Sequence, residues 1–283
     1  MAGAESRAVL ITGCSSGIGH ATAERLAAAG FTVYATARDP AKLSDLAERG
    51  CRTLALDVLD EGSMRAAVAK VEEAEGAVGV LVNNAGYGQS GAVESVPIED
   101  ARRNFETNVF GYLRMAQLVL PGMRHRGRGR IVNLSSVAGR VTMPGSGVYS
   151  ATKFAIEAMT DALRFEVRGF GVDVVLIEPG PIRTRFTATA NDAMPGSGGP
   201  YDDYHAAVAK ADAEADQSKL LADDPEDVAE AVERAISARR PRARYRVGIP
   251  ARLLPAIRGL LPDRAFDAFL RTQAPPPGVE AKQ

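Results

Sequence analysis

The segment Tyr149-Ser150-Ala151-Thr152-Lys153 carries a phenol and an ammonium group four residues apart. On a helix that spacing puts both side chains on one face. An ordinary phenol, with a pKa of about 10, is a poor proton donor or acceptor near neutrality. A neighbouring ammonium favours the phenolate, so Lys153 is expected to pull the Tyr149 pKa down and make Tyr149 an acid/base catalyst. Two companions give the pair weight. The serines Ser135-Ser136 end thirteen residues before the tyrosine, and either hydroxyl could bond a reacting oxygen and stabilise charge developing there. A glycine-rich turn, Thr12-Gly13-Cys14-Ser15-Ser16-Gly17-Ile18-Gly19, lies near the N-terminus.

That turn joins the apolar run Ala8–Ile11 to a helical pattern starting at Ile18. Glycine is needed where backbone turns sharply and approaches a phosphate closely. The N–H groups of the first helical turn then face the anion. Gly13, Ser15, Ser16, Gly17, Ile18 and Gly19 are therefore assigned to dinucleotide binding. Three residues separate the first two glycines, a wider spacing than in the common fingerprint. The second strand should end at the adenosine ribose, where an acidic residue would favour NAD(H). Here it ends Thr36-Ala37-Arg38-Asp39. Ala37 cannot bond a hydroxyl, and Arg38 can pair with a 2′-phosphate. NADP(H) is expected ahead of NAD(H), with Ser15 and Ser16 as further donors.

Positioning these groups requires a scaffold, and the chain alternates to supply one. Strands are expected at 8–11, 31–36, 52–56, 78–82, 130–134, 172–177 and 244–247. Helices are expected at 18–29, 40–49, 62–75, 97–123, 149–169 and 225–238. Such alternation predicts an α/β doubly wound parallel sheet, a Rossmann fold of about seven strands with helices on both faces. One domain spanning 1–272 is expected. An irregular segment, about 185–224, breaks the rhythm and reads as a substrate lid; a helical extension at about 250–272, with many apolar residues broken by Pro255 and Pro262, could cap the pocket, touch a second subunit or rest on a membrane surface, with packing on this chain or a partner chain favoured over a membrane. The proline-rich end, 273–283, reads as a frayed tail.

The chain has 283 residues, 46% of them hydrophobic, and a net charge of −1. That is enough apolar material for a full core, and it gives no long-range field toward nucleic acid or an anionic membrane. Arg124–Arg130 reads as a solvated basic loop, with no nucleic-acid partner. The two cysteines, Cys14 and Cys51, make no disulfide framework and fit a reducing compartment. The N-terminal apolar run is too short for a signal peptide, and no stretch reaches the about 18 apolar residues of a membrane span. A cytoplasmic location is expected. His20 and His125 lack companions at ligand spacing, so no metal site is expected.

Taken together, Thr12–Gly19, Asn83-Asn84-Ala85-Gly86, Asn108, Ser136, Tyr149 with Lys153, and Pro179-Gly180 occur in the order of the short-chain dehydrogenase/reductases. The chain resembles that family from about residue 8 to 185. Leu10–Gly17 and Tyr34–Asp39 are closest in texture to its hydroxysteroid and retinol dehydrogenase branch. The resemblance implies a hydride transfer between nicotinamide and a carbonyl or alcohol carbon, with the serine role falling to Ser136. It implies that Lys153 also holds the nicotinamide ribose and that Asn108 loosens its helix and holds a water leading from Lys153 to solvent. It implies that Asp57, with Val58, meets the adenine, and that Asn84, Ala85 and Gly86 line the cofactor. Pro179, Gly180 and Ile182 would form a wall beside the ring, and Thr184 would hold the carboxamide. A homodimer or homotetramer built on the helices at 97–123 and 149–169 is also implied.

The substrate is expected between loop 139–148 and the segment after Thr184, against Val141, Met143, Val148 and Phe186, with Pro144 and Tyr87 as further candidates. These side chains are mostly apolar, which predicts a hydrophobic ketone, aldehyde or alcohol. Tyr201, Tyr204 and His205 are candidates for a lid, His205 otherwise being a surface histidine. Two other readings compete. A non-catalytic dinucleotide-binding sensor or scaffold does not need Ser136, Tyr149 and Lys153 together. A sugar-nucleotide epimerase or dehydratase is disfavoured by the glycine spacing and the absence of a larger C-terminal domain.

Overall fold

Short apolar strands whose alternate side chains all find cover explain the architecture. In a strand, successive side chains point to opposite faces. Val9 and Ile11 enter one core while Ala8 and Leu10 enter another; Val80 and Val82 oppose Leu81 in the same way, and Val132 and Leu134 oppose Ile131. Strands apolar on both faces belong to a parallel sheet with helices on each side. A computed structural model of the protein, describing residues 8–195, 198–218 and 220–277, has that arrangement.

The seven strands are β1 (Ala8–Ile11), β2 (Thr32–Ala37), β3 (Arg52–Ala55), β4 (Val80–Asn83), β5 (Gly129–Leu134), β6 (Val172–Pro179) and β7 (Arg244–Val247). They pair in the order β3-β2-β1-β4-β5-β6-β7, all parallel. Val9 is opposite Val33 on one side and Val80 on the other. The order reverses between β1 and β4. In such sheets the crevice at the carboxyl ends of the strands flanking that switch is where ligands bind.

One face carries helices α1 (Gly17–Ala28), α2 (Ser44–Glu48) and, later in the chain, Pro225–Ser237. The other carries α3 (Glu61–Glu75) and the long helical stretch that follows β4. That stretch, expected as one helix over 97–123, is α4 (Ile98–Phe105), a π-turn at Glu106–Phe110, and α5 (Gly111–His125). Helix α6 (Gly147–Val167) packs Ile156 against Val109, Tyr112 and Leu176. Cys14 and Cys51 are buried free thiols. Burial pushes them up to about 12 and about 11, so neither ionises near neutrality.

The segment expected to be irregular is largely helical. It contains α7 (Phe186–Asp192) and α8 (Asp202–Gln217), followed by α9 (Pro225–Ser237). Among the buried residues of α8 only Val208 is found, so the apolar repeat that marks a helix is too thin to read in sequence. Alanine content and Asp202 and Asp203 in the first turn favour it instead. The C-terminal extension forms α10 (Ile249–Leu260) and α11 (Asp263–Leu270). Of the stretch read as a frayed tail, Ala274 is buried and Pro275–Pro277 are exposed; residues 278–283 lie outside the described ones.

Candidate active site

The glycine turn leaves β1 at the switch point and enters α1. Gly13 and Gly17 have φ of 75° and 60°, values that glycine adopts without strain. A Cβ on Gly19 would overlap the Gly13 carbonyl and the Asn84 carboxamide. The turn is held by Thr12 and Asn84. Thr12 Oγ1 accepts from the Asn84 and Ala85 amides, each at 3.0 Å. Asn84 Nδ2 donates to the Thr12 and Gly13 carbonyls at 2.9 and 3.0 Å. Asn84 therefore shapes the turn with its side chain, and the amides of Asn84 and Ala85 are already bonded. Thr12 carries as much of this as any glycine, and its only sequence signal is its place before Gly13.

Around this turn the expected cofactor positions converge. Thr184 faces Gly17, with its methyl 3.4 Å from where a Cβ would stand. Pro179 ends β6, Gly180 follows it beneath α10, and Ile182 bridges to Asp223. Ser15, Ser16 and Arg38 are exposed. Asp39 accepts from Ala41 N at 3.0 Å and caps the next helical turn. Arg38 makes no ion pair among the described residues, so the expected pairing with a 2′-phosphate has no internal competitor. Asp57 accepts from Leu59 N through one carboxylate oxygen, which leaves the other for a ligand, and Val58 is buried beside it. A cleft with left-handed glycines, a helix N-terminus and no room for side chains fits a dinucleotide pyrophosphate.

On the far side of the switch, β5 ends at Leu134 and delivers Ser135 and Ser136 in opposite directions. Ser136 faces the Tyr149 phenol and acts to lower it, while Ser135 is buried and turned toward Glu157. The alternation puts Ser136 on the Tyr149 side. Ser136 Oγ also accepts from Ala138 N at 3.1 Å. Lys153 is buried one helical turn beyond Tyr149 and donates from Nζ to the Leu134 carbonyl at 2.7 Å. Its Nζ lies 5.7 Å from the Tyr149 ring centre.

The electrostatics correct one expectation. Burial pushes the Tyr149 phenol well above its usual range, opposed by Ser136. Lys153 is aimed at a backbone carbonyl, and it does not pull the phenol down in this arrangement. Burial lowers Lys153 itself to about 8, with the Glu157 carboxylate acting against the fall.

Asn108 sits in the π-turn and is fully buried. Its Nδ2 donates to Tyr87 O at 2.9 Å and to Thr152 Oγ1 at 3.2 Å, and its Oδ1 accepts from Tyr87 N at 3.1 Å. A Cβ on Gly86 would stand 2.9 Å from that oxygen. The π-turn is where Asn108 leaves its own helix to hold the β4 loop and α6 together. Asn104 adds a second bond to Tyr87 O at 3.0 Å.

A buried ionic group anchors α6 and was not legible as part of the site. Arg244 Nη2 meets Glu157 at 3.0 Å and Asp161 at 2.7 Å, and its Nε meets Glu178 at 2.8 Å. Arg246 meets Glu178 at 3.0 Å. The signal was Glu178, a carboxylate inside an apolar strand, which must find cationic partners.

The four substrate-side residues do not share one pocket. Phe186 lies edge-on against the Tyr149 ring, with centroids 5.4 Å apart. Val141 and Met143 wall a cavity of about 1050 Å³ with Phe154, Tyr204, Phe266 and Leu270, and neither Tyr149 nor Phe186 lines it. Val148 is half-buried and also outside it. Pro144 lines the cavity, while the Tyr87 backbone serves Asn108.

The lid residues tie α8 to the loops beside α6. Tyr204 OH accepts from Gly145 N at 2.6 Å, Tyr201 OH bonds Glu94, and His205 Nε2 accepts from Ala92 N at 3.0 Å. His205 is therefore a latch and no free surface histidine. Arg183 turns away from the site to Asp224, at 2.7 Å. Among the described residues no cluster of metal-binding side chains is found, and no helix is long and apolar enough to cross a membrane.

The family described as short chain dehydrogenase matches residues 7–195. An NADPH-dependent 3-dehydrocapnine reductase from Ornithobacterium rhinotracheale is 36% identical over 272 residues, 92% of this chain and 95% of its own. The crystal structure of a short-chain dehydrogenase from Streptomyces avermitilis is 32% identical with a TM-score of 0.80, over 96% of this chain and 97% of that one. A short-chain dehydrogenase/reductase from Burkholderia phymatum, solved with NAD, is 26% identical with a TM-score of 0.77, over 99% of this chain and 100% of that one.

Proposed function

This chain belongs to the short-chain dehydrogenase family, and we propose that it is an NADP(H)-dependent oxidoreductase acting on a hydrophobic ketone, aldehyde or alcohol. One observation carries the reading: the Tyr149 phenol faces Ser136, with Lys153 a helical turn away, beside the glycine turn.

When bound, the nicotinamide cofactor supplies or accepts the hydride. The chain supplies position and proton. Gly13, Gly17 and Gly19 leave space for the pyrophosphate, and Ser15, Ser16 and Arg38 offer donors for a 2′-phosphate. Thr184, Pro179, Gly180 and Ile182 wall the ring side. In the reductive direction Tyr149 Oη gives its proton to the carbonyl oxygen, and Ser136 Oγ donates to that oxygen as charge develops there. The elevated phenol suits a proton donor. Proton return, and the reverse oxidation, need Lys153 charged and released from Leu134 toward the phenol. Asn108 positions Lys153 through Thr152 and α6.

Arg38 and Ala37 support NADP(H), as does the relative named for NADPH; the relative solved with NAD keeps NAD(H) in the comparison. The Phe186 ring packed against Tyr149 supports a hydrophobic substrate. The test is a panel of steroid, aryl and long-chain carbonyls beside sugars and keto acids, each with NADPH and NADH, in wild type and Arg38→Ala. A 2′-phosphate bond worth about 1.5–3 kcal/mol gives roughly a 10–100-fold NADPH preference that Arg38→Ala removes. Equal use of both cofactors by the wild type, or highest kcat/KM on keto acids or sugars, overturns the reading.

A further inference from the structure

Helix α10 is turned inside out. Its inner face, with Pro250 and Ala251 buried, lies over the wall of the cofactor cleft: a Cβ on Gly180 would stand 3.5 Å from Pro250. Its outer face carries Ile249, Leu253, Ile257 and Leu260, exposed by 44, 53, 37 and 83%. Those positions recur at intervals of four, four and three, which is one stripe of a helix. Leu220 and Leu221, exposed by 69 and 41%, end the lid segment just before Asp223, whose carboxylate meets Gly248 at the root of α10. The apolar surface is therefore continuous from the lid to the helix, at the edge of the catalytic cleft.

Charge of both signs borders this stripe. Asp223 and Asp224 follow close after Leu221, and Arg244 and Arg246 are tied to Glu157, Asp161 and Glu178, so the cationic side rests on the arginines of α10 and α11. Arg252 sits beside the stripe on α10, and Arg264 and Arg271 are exposed on and after α11; none of the three makes an ion pair among the described residues. Arg258 bonds Asp263 at 2.6 Å and covers Phe266, which fixes α11 against α10. An exposed apolar stripe with a cationic rim is the form of a helix that lies in the interface of an anionic bilayer. A second copy of the chain fits poorly, because this arginine-rich surface would face itself.

We propose that the outer face of α10, with Leu220 and Leu221, docks on the surface of an anionic membrane, its apolar side chains entering the headgroup boundary and its arginines meeting lipid phosphates. Docking there places the lid and the mouth of the cleft against the bilayer, where apolar carbonyl compounds partition.

The experiment is flotation of the full chain with vesicles of phosphatidylcholine, with and without phosphatidylglycerol, at low and high salt. Binding is expected on the anionic vesicles and is expected to weaken with salt. Leu253→Glu with Leu260→Glu should reduce binding at least about tenfold. Arg252→Gln and Arg264→Gln should each reduce it about fivefold, on anionic vesicles alone. Circular dichroism and thermal melting check that the variants stay folded. No flotation at either composition, or equal flotation of the glutamate variant, overturns the proposal. A change of molecular mass by light scattering in that variant also overturns it, because a second copy then covers the stripe. None of these readouts depends on which substrate the enzyme takes.

Discussion

Tyr149 and Lys153 form a pair in sequence, yet the folded chain gives them different neighbours. The phenol faces Ser136, and the ammonium is bonded to the Leu134 carbonyl. Tyr149→Phe keeps the ring against Phe186 and deletes only the hydroxyl with its proton. It is expected to retain cofactor binding, read by NADPH fluorescence, and to lose turnover by about 10²–10⁴-fold. Near-normal turnover would remove Tyr149 from the mechanism. Lys153 makes a second prediction. Its ordinary value of 10.5 is lowered to about 8 by burial, so the folded chain bears the penalty of a buried charge below pH 8. Between about 8 and 10.5 the unfolded lysine still holds a proton that the folded one has lost, and stability through this group rises with pH. Lys153→Met buries no charge and should lack that rise. Thermal melts of the two proteins across this window check it, and parallel curves would contradict it.

The segment expected to act as a lid is held at its helical elements. Helix α8 presents Asp212 to Asn191 of α7, and burial pushes this carboxyl up to about 6, with Asp216 adding to the rise against the pull of Asn191. A raised carboxyl binds more protons folded than unfolded between about 3.8 and 6. Stability through Asp212 therefore falls as pH rises across that window, and the full penalty stands above it. Asp212→Asn should slow hydrogen exchange of the α7–α8 amides at neutral pH and lose that advantage near about pH 4. Unchanged exchange at neutral pH would show the group to be well solvated. The π-turn belongs to this scale too. Sequence marks Asn108 as a poor helix former, but a π-turn is made by what Asn108 reaches, Tyr87 and Thr152, and those partners come from other elements.

At the scale of the whole molecule, both faces of the sheet are covered and apolar surface remains on the helices around the site. Met115 on α5 is fully buried in the core on one face of the sheet. Phe110, Phe154 and Phe165 stay exposed on the π-turn and α6. A homodimer or homotetramer covering these side chains is expected, with a mass by light scattering that is a multiple of the chain's. Phe110→Glu with Phe165→Glu should yield the monomer. A wild-type monomer at micromolar concentration would refute the assembly.

What the linear chain determined is whatever depends on local spacing. Alternating apolar runs specify a parallel sheet because each strand must bury two faces, and the seven strands fall within a few residues of where the pattern puts them. The glycines of the turn are required by φ and by close approach, both properties of a few consecutive residues. Tyr149 and Lys153 share a face because the helix repeat demands it. Tertiary structure decided the rest, because it depends on groups far apart in sequence meeting in a low dielectric. The choice of Ser136 over Ser135 follows from which way β5 delivers them. The rise of the Tyr149 phenol follows from burial, which outweighs a lysine aimed elsewhere. The separation of Phe186 from the cavity at Val141 and Met143 follows from how α7, α8 and α11 settle on the loops. The ionic group of Arg244, Glu157 and Glu178 joins residues up to 87 positions apart, and no local pattern foretells which buried charge will find which partner.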